Sequence, residues 1–236
     1  MPAMGAPRIS VIIPVLDEAA RICAQLSSAI AHADPAEVIV VDGGSTDDTV
    51  ARVRADGRAV LLSAARGRAR QLNAGAAAAT GDILLFLHAD VRLPPGAAGH
   101  IRATLAQPGC VAGAFRTRTL LDSDTQNAWI RPLLPIADLR SRYTRRPYGD
   151  QALFVWQRAF ASVGGYPDVA LMEDLALSHA LARAGHIGRA PAAVTVSARR
   201  FAARPLYYAA VMNVFPLLYA LGVPTERLAA LYLTER

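Results

Sequence analysis

Five clusters of side chains in this sequence combine residue types and spacings that chemistry can use. The first joins Pro14-Val15-Leu16-Asp17-Glu18 to Asp42-Gly43-Gly44-Ser45-Thr46-Asp47-Asp48. A carboxylate, two glycines, then hydroxyls and acids make a tight turn with exposed acceptors. Asp42 can accept from the N–H of a uracil ring or from a ribose hydroxyl. A plain N-cap turn is the alternative for Gly-Gly-Ser alone; the coupling to Pro-x-Leu-Asp-Glu argues against it. The second cluster is Arg66-Gly67-Arg68-Ala69-Arg70-Gln71-Leu72-Asn73-Ala74-Gly75, with alternating arginines at a helix start. A helix N-terminus and guanidinium forks together favour a phosphate. The third, His88-Ala89-Asp90, closes an apolar run, where an acid can hold a divalent metal on a diphosphate. The fourth, Glu173-Asp174, follows the Gly164-Gly165 turn and offers a general base; capping of the helix dipole is the alternative. The fifth is Arg199-Arg200-Phe201 with Arg204 nearby, which read alone is surface charge.

The elements that must carry these residues alternate along the first half. Ile9–Ile13, Val38–Val41, Ala59–Leu62 and Ile83–Leu87 read as strands. Glu18–Ala31, Thr46–Ala55 and Arg68–Ala79 read as helices between them. Strands apolar on both faces and separated by helices indicate a parallel sheet covered on both sides. Ligands of such sheets lie beyond the carboxyl ends of the strands, where Asp42 and Asp90 fall. The second half is less regular. Val111–Arg116, Ala152–Trp156 and Ala193–Ser197 read as strands. Asp124–Arg142, Gln157–Val163, Met172–Ala184, Arg204–Ala220 and Thr225–Leu233 read as helices, the first broken near Pro132 and Pro135. No Ser/Gly-rich linker divides the chain. One domain over 1–236 is expected: a nucleotide-binding half (about 8–115), a catalytic and acceptor half (about 116–203) and C-terminal helices (204–236).

Composition narrows the function classes. All 25 basic residues are arginine, against 19 acids, for a formal charge of +6. Without lysine there is no Schiff-base enzyme, no P-loop and no protein kinase. High-GC coding DNA accounts for the missing lysine, not for where the arginines sit. No aromatic residue interleaves the arginines of 66–70 and no nucleic-acid motif occurs, so nucleic acid is not expected as a partner. Cys23 and Cys110 stand far apart, which suggests a reducing compartment and neither a zinc site nor a disulfide framework. Met1–Arg8 lacks the pattern of a signal peptide. No run reaches the roughly 20 apolar residues of a membrane span. A cytoplasmic location, free or against the inner face of a membrane, is the expectation.

Taken in order, these segments closely resemble the family 2 glycosyltransferases, inverting enzymes with a GT-A fold. The resemblance runs from about Ile9 to Phe201 and includes Gly81-Asp82 and Gly164-Gly165-Tyr166. Tyr148-Gly149-Asp150-Gln151, Ser197–Phe201 and Leu221-Gly222-Val223 are similar to a bacterial subgroup labelled arsenosugar-biosynthesis glycosyltransferases. The family implies a Rossmann-like, mostly parallel sheet flanked by helices. It implies that Pro14, Glu18, Asp42 and Gly44 bind a nucleotide, with Arg70, Arg199 and Arg200 toward its phosphates. Asp90, with His88 beside it, would hold Mg²⁺ or Mn²⁺. Asp174 would be the base next to Glu173, and Asp150 and Gln151 would meet the acceptor. Two segments depart from the pattern. His88-Ala89-Asp90 stands for Asp-x-Asp, which implies weaker metal binding, and Arg199-Arg200-Phe201 stands for Gln-x-x-Arg-Trp, which favours a single transfer over polymerisation.

The implied reaction is metal-assisted transfer of a sugar from a UDP-sugar to an acceptor hydroxyl, small or lipid-linked, with inversion. A catalytically silent nucleotide-binding scaffold is the alternative, supported by His88. Leu206, Tyr207, Tyr208, Val211, Phe215 and Leu218 fall close to one helical face, which would lie on a membrane if the acceptor is lipid-linked. The cluster Arg140–Arg146 precedes Gly149-Asp150-Gln151 and would face an anionic acceptor.

Overall fold

The β-branched runs of the first half become the inner strands of one sheet. The computed structural model describes residues 5–121, 128–143 and 146–233. In it β1 (Ile9–Val15), β2 (Glu37–Asp42), β3 (Val60–Ser63) and β4 (Ile83–Phe86) pair in parallel, in the order β3-β2-β1-β4. Between them run α1 (Ile22–Ala33), α2 (Thr49–Asp56) and α3 (Arg68–Ala78). The chain continues through β5 (Val91–Arg92), α4 (Ala97–Leu105), β6 (Cys110–Leu120), a 3₁₀ segment (Ala128–Leu133) and α5 (Leu134–Tyr143). A short 3₁₀ turn (Gly149–Gln151), β7 (Phe154–Trp156), α6 (Gln157–Ser162), α7 (Glu173–Ala184) and β8 (His186–Ser197) follow. The helices α8 (Arg199–Ala203), α9 (Pro205–Ala220) and α10 (Thr225–Leu233) come last. The full sheet order is β3-β2-β1-β4-β7-β6-β8-β5. β7 runs antiparallel to β4 and β6, and β5 antiparallel to β8, while β6 and β8 are parallel. The α/β architecture expected from the sequence is the one observed.

Strand alternation feeds two cores. Ile9, Val11 and Ile13 share one with Val38 and Val40, under α1 and α4. Ile12, Ile39 and Val41 share the other with Leu72 of α3, Phe160 of α6 and Leu177 of α7. At Gly75 the helix comes so close that an added Cβ would lie 2.5 Å from Ile12 Cγ2. Glycine is what permits this approach.

The structure also departs from the sequence reading. The first helix starts at Ile22 rather than Glu18. The N–H groups of Arg21 and Ile22 both reach the Glu18 carbonyl, which keeps Glu18 in the loop. Besides the short β5 and α8, which the sequence reading lacks, two departures stand out. α4 opens on Pro-Pro-Gly and buries small residues, Ala97 and Ala98, beside Ile101 and Leu105. β8 begins seven residues earlier than expected, at His186 instead of Ala193. It carries Gly188 and Pro191, which normally argue against a strand. The register shifts around that proline: Ala114 pairs with Arg189 but Arg116 with Ala193. A bulge thus absorbs the missing N–H. Of the expected 124–142 helix, residues 124–127 lie outside the described residues, and the rest divides at Leu133/Leu134.

The apolar face read on α9 turns inward. Tyr208, Ala209 and Met212 pack on a small core of Ile130, Leu134, Ala198, Phe201 and Ala202, and Phe215 is buried. The Leu206 side chain lies outside the described residues. The outward stripe is instead Val214, Leu217 and Leu221. Of the face expected to lie on a membrane, Phe215 is thus interior, while Tyr207, Tyr208, Val211 and Leu218 are half-buried. Among the described residues no helix is long and apolar enough to cross a membrane.

Candidate active site

The carboxyl ends of β1, β2 and β4 open together, and two buried glutamines hold them in place. Gln71 Nε2 donates to the carbonyls of Val15 (2.8 Å) and Val41 (2.9 Å). It thereby joins the ends of β1 and β2. Gly43 packs on its amide, where a Cβ would come within 2.9 Å. Gln25 Nε2 donates to the carbonyls of His88 (2.9 Å) and Val91 (2.6 Å) and fixes the loop after β4.

The loops after β1 and β2 are clamped to each other. Asp17, at φ 54°, accepts from the N–H groups of Thr46 (2.7 Å) and Asp47 (3.3 Å). In return the N–H of Asp17 reaches Ser45 Oγ (2.9 Å), that of Glu18 reaches Thr49 Oγ1 (2.8 Å), and that of Ala19 reaches Asp47 Oδ2 (3.1 Å). Hydrogen bonds from Thr49, against a small opposing effect of burial, hold the Asp47 carboxyl below its ordinary range. Asp42 is absorbed by its own turn. It accepts from Gly44 N–H (3.0 Å), Ser45 N–H (3.1 Å) and Ser45 Oγ (2.5 Å). It is 5% exposed. Gly44 supplies the turn's left-handed residue, at φ 93°.

Two adjoining cavities occupy the strand ends. The larger, about 950 Å³, is bordered by Pro14 and Glu18 and by Arg66, Arg70, Arg199 and Arg204. The amino end of α3, at Arg68, also opens on it. Helix dipole and guanidinium groups face it, and the carboxylates of Asp17, Glu18, Asp90, Asp168, Glu173 and Glu226 line it as well. The smaller, about 210 Å³, is bordered by Thr117, Thr119, Tyr148, Asp150 and Asp174 on one side and by Phe201, Val211 and Met212 on the other. Arg68, His88, Asp90 and Glu173 border both.

The shared wall is charged. Arg68 Nη1 lies 3.1 Å from Glu173 Oε1. Burial works against the Arg68 charge, but Glu173, Asp174 and Asp90 more than offset it and raise its pKa. Burial pushes the Glu173 carboxyl above the ordinary range; Arg68 pulls it back and the Asp174 charge pushes it further up. Asp174 Oδ2 accepts from Gly149 N–H at 2.7 Å. A Cβ on Gly149 would lie 2.8 Å from the His88 ring and 3.4 Å from Asp174 Oδ2. The imidazole and the carboxylate thus flank the same glycine. Met172, just before Glu173, is held at φ 66°, a strained conformation for a non-glycine residue.

The sequence-derived residues do not all converge. Pro14, Glu18, Arg70, Arg199, His88, Asp90, Asp150, Glu173 and Asp174 border the cavities. Asp42, Gly44 and Gln151 do not border either, and Gln151 is 3% exposed. Glu18 pairs with Arg21 at 3.2 Å. Arg70 Nε is 3.0 Å from both carboxylate oxygens of Asp168, at the outer rim. The side chain of Arg200 and the whole of Arg145 lie outside the described residues. Sequence reasoning singled out Arg70 from its run, whereas Arg68 holds the centre; two residues apart, they leave the helix in different directions. Gln25 carried no signal of its own, while Gln71 was read only as part of its arginine run and Tyr208 only as part of an apolar helical face. Among the described residues no three His, Cys, Asp or Glu side chains cluster to hold a metal.

Comparison with known proteins places this arrangement. A PGL/p-HBAD biosynthesis glycosyltransferase of Mycobacterium bovis (strain BCG / Pasteur 1173P2) is 33% identical over 175 residues, which is 69% of this chain and 64% of that protein. An undecaprenyl-phosphate 4-deoxy-4-formamido-L-arabinose transferase of Sodalis glossinidius is 29% identical over 166 residues, 62% of this chain and 47% of that protein. The chain thus spans about half to two thirds of the length of these relatives. The mannosyltransferase PcManGT from Pyrobaculum calidifontis, solved with GDP-Man and Mn²⁺, shares the fold at a TM-score of 0.67 and 23% identity, over 87% of this chain and 60% of that one. Glucosyl-3-phosphoglycerate synthase from Mycobacterium tuberculosis, solved with Mn²⁺ and UDP-Glc, shares it at 0.60 and 24% identity, over 92% and 80%. These are GT-A structures, as the sequence resemblance implied. The stretch from Ser10 to Phe160, strands β1 to β4 and on into α6, matches the model described as Glycosyl transferase family 2, and the chain belongs to that family.

Proposed function

We propose that the chain transfers a sugar from a nucleotide-sugar to an acceptor hydroxyl by a single inverting displacement. The observation that carries this reading is the division of groups between the two cavities. Asp174 borders only the smaller one, and Arg66, Arg70, Arg199 and Arg204 only the larger. A base on one side and anion-stabilising groups on the other is what in-line displacement needs. In this reading Asp174 takes the acceptor proton, and the acceptor oxygen bonds to the anomeric carbon. The bond to the diphosphate breaks, and the diphosphate leaves among the arginines with both electrons. Preorganised cationic groups there stabilise the growing charge, and removal of one such contact commonly costs about 10²–10³ in rate.

The donor set suits a hard divalent cation sparsely. Asp90 offers a carboxylate and His88 a ring nitrogen on the shared wall. Mg²⁺ and similar ions accept one or two carboxylates and complete their shell with substrate phosphates and water. Bound to Asp90, with His88 beside it, Mg²⁺ or Mn²⁺ would supply charge neutralisation for the diphosphate. Solved relatives of the fold were crystallised with GDP-Man or UDP-Glc and Mn²⁺, so both nucleotides belong in the test. UDP is the first choice from the family resemblance of the Pro14–Glu18 motif, which borders the larger cavity, whereas the Asp42–Asp48 turn borders neither. The sparse donor set also favours a second reading, a scaffold that binds nucleotide without turnover. Calorimetry of UDP and GDP with Mn²⁺ or chelator, followed by turnover over a sugar panel, separates them. Metal-strengthened binding with release of the diphosphate is expected. Binding without turnover on any pair selects the scaffold, and no nucleotide binding contradicts both.

A further inference from the structure

We propose that the acceptor presents its hydroxyl on a single uncharged ring with apolar flanks, and that an anionic group such as phosphate is excluded from the reacting end. This rests on the reading of the smaller cavity as the acceptor side.

Size comes first. A dry cavity of about 150 Å³ accommodates benzene. The smaller cavity, about 210 Å³ and open at its mouth, has room for one ring and a short substituent at the reacting end. Its walls come next. Met172, Phe201, Val211, Met212 and Pro216 give it an apolar lining, with Tyr148 and Tyr208 adding ring faces. Flat apolar surfaces of this kind hold a ring by burial and stacking. Thr119 does not offer a free hydroxyl, since its Oγ1 donates to Asp138 Oδ1 at 2.6 Å.

Charge decides between a neutral and an anionic acceptor. Asp90, Asp150 and Asp174 border this cavity beside the Arg68–Glu173 pair. Arg68 is the one arginine among the described lining residues. A phosphate here would be taken out of water against Asp150 and Asp174, which the proposed metal on Asp90 leaves as carboxylates, and among the described residues the one lining guanidinium, Arg68, is already shared with Glu173. An alcohol hydroxyl meets the opposite situation, since it donates to a carboxylate. Discrimination thus comes from repulsion as much as from fit. The grouped arginines of the larger cavity draw the anionic substrate to the other side of the wall. The expectation that Arg140–Arg146 faces an anionic acceptor falls largely on side chains outside the described residues, those of Arg140, Arg142 and Arg145.

The test uses the full chain saturated with UDP, which occupies the arginine side. Saturation-transfer NMR then compares benzyl alcohol with benzyl phosphate. The alcohol is expected to receive transfer, and the ester to bind at least tenfold more weakly. Val211→Trp should abolish the alcohol signal while UDP affinity by calorimetry is retained. Val211→Phe should weaken it in the same direction if the tryptophan variant fails to fold. Absence of transfer to the alcohol, equal or tighter binding of the ester, or an alcohol signal that survives Val211→Trp in a UDP-binding variant overturns the proposal. Failure of the wild type to bind UDP instead counts against the donor reading, and the alcohol arm is then read without nucleotide.

Discussion

Arg68 and Glu173 show how one residue pair links stability to the site. The Glu173 side chain is 5% exposed and that of Arg68 36%. Breaking a fully buried pair costs about 3–5 kcal/mol; with Arg68 partly in water, Arg68→Met should cost about 1–3 kcal/mol. The sign with pH follows from Glu173. Burial already raises its folded pKa, so the proton it retains favours the folded state at low pH. That contribution is lost as pH rises from the unfolded carboxylate pKa through the folded value. Removing Arg68 raises the folded value further and widens the window upward. Arg68→Met should therefore be more destabilising at pH 8 than at pH 5 in chemical denaturation. A loss that is equal at both pH values, or larger at pH 5, contradicts this account of the pair.

At the scale of elements, the site depends on how strand ends are tied. Gln71→Leu keeps the volume but removes the donor from the carbonyls of Val15 and Val41. The Val15 carbonyl keeps its bond from the Gly43 N–H at 3.0 Å, so the cost is that of the weakened Val41 side, within the roughly 1–3 kcal/mol of an unmet buried acceptor. The unfolding free energy should fall by that amount, read as a lower denaturation midpoint at constant slope, and UDP affinity should fall with it because the Pro14–Glu18 loop loses one of its anchors. Unchanged stability and affinity would show that the tie is dispensable. Elements with strong local patterns were legible in the sequence: β1, β2 and β4 are runs of buried β-branched and leucine residues. α4 and the first half of β8 were not. Their burial comes from small residues, glycine and a bulged proline, whose meaning is set by the elements packed on them.

At the scale of the molecule, the sheet brings together clusters separated by most of the chain: Pro14–Glu18, Arg66–Arg70, His88–Asp90, Glu173–Asp174 and Arg199. The candidate site was largely legible because each cluster sits at the end of a recognisable element. Which member of a cluster reaches the centre was not legible. Asp42 is consumed by its own turn, Gln151 is buried away from both cavities, and Arg68 rather than Arg70 stands on the shared wall. The inward turn of α9 was equally hidden, because one helical face reads the same toward a lipid surface as toward a protein interior. The arginine set acquires a purpose at this scale. Arg66, Arg70, Arg199 and Arg204 border the larger cavity and not the smaller one that Asp174 borders, while Arg68 stands between them. That sorting is the central claim. Steady-state diphosphate release by the wild type and Asp174→Asn, on the first donor and acceptor pair that turns over, tests it most directly. A kcat lower by about 10²–10⁴-fold with unchanged UDP affinity is predicted; turnover at the wild-type rate with normal UDP binding would contradict it.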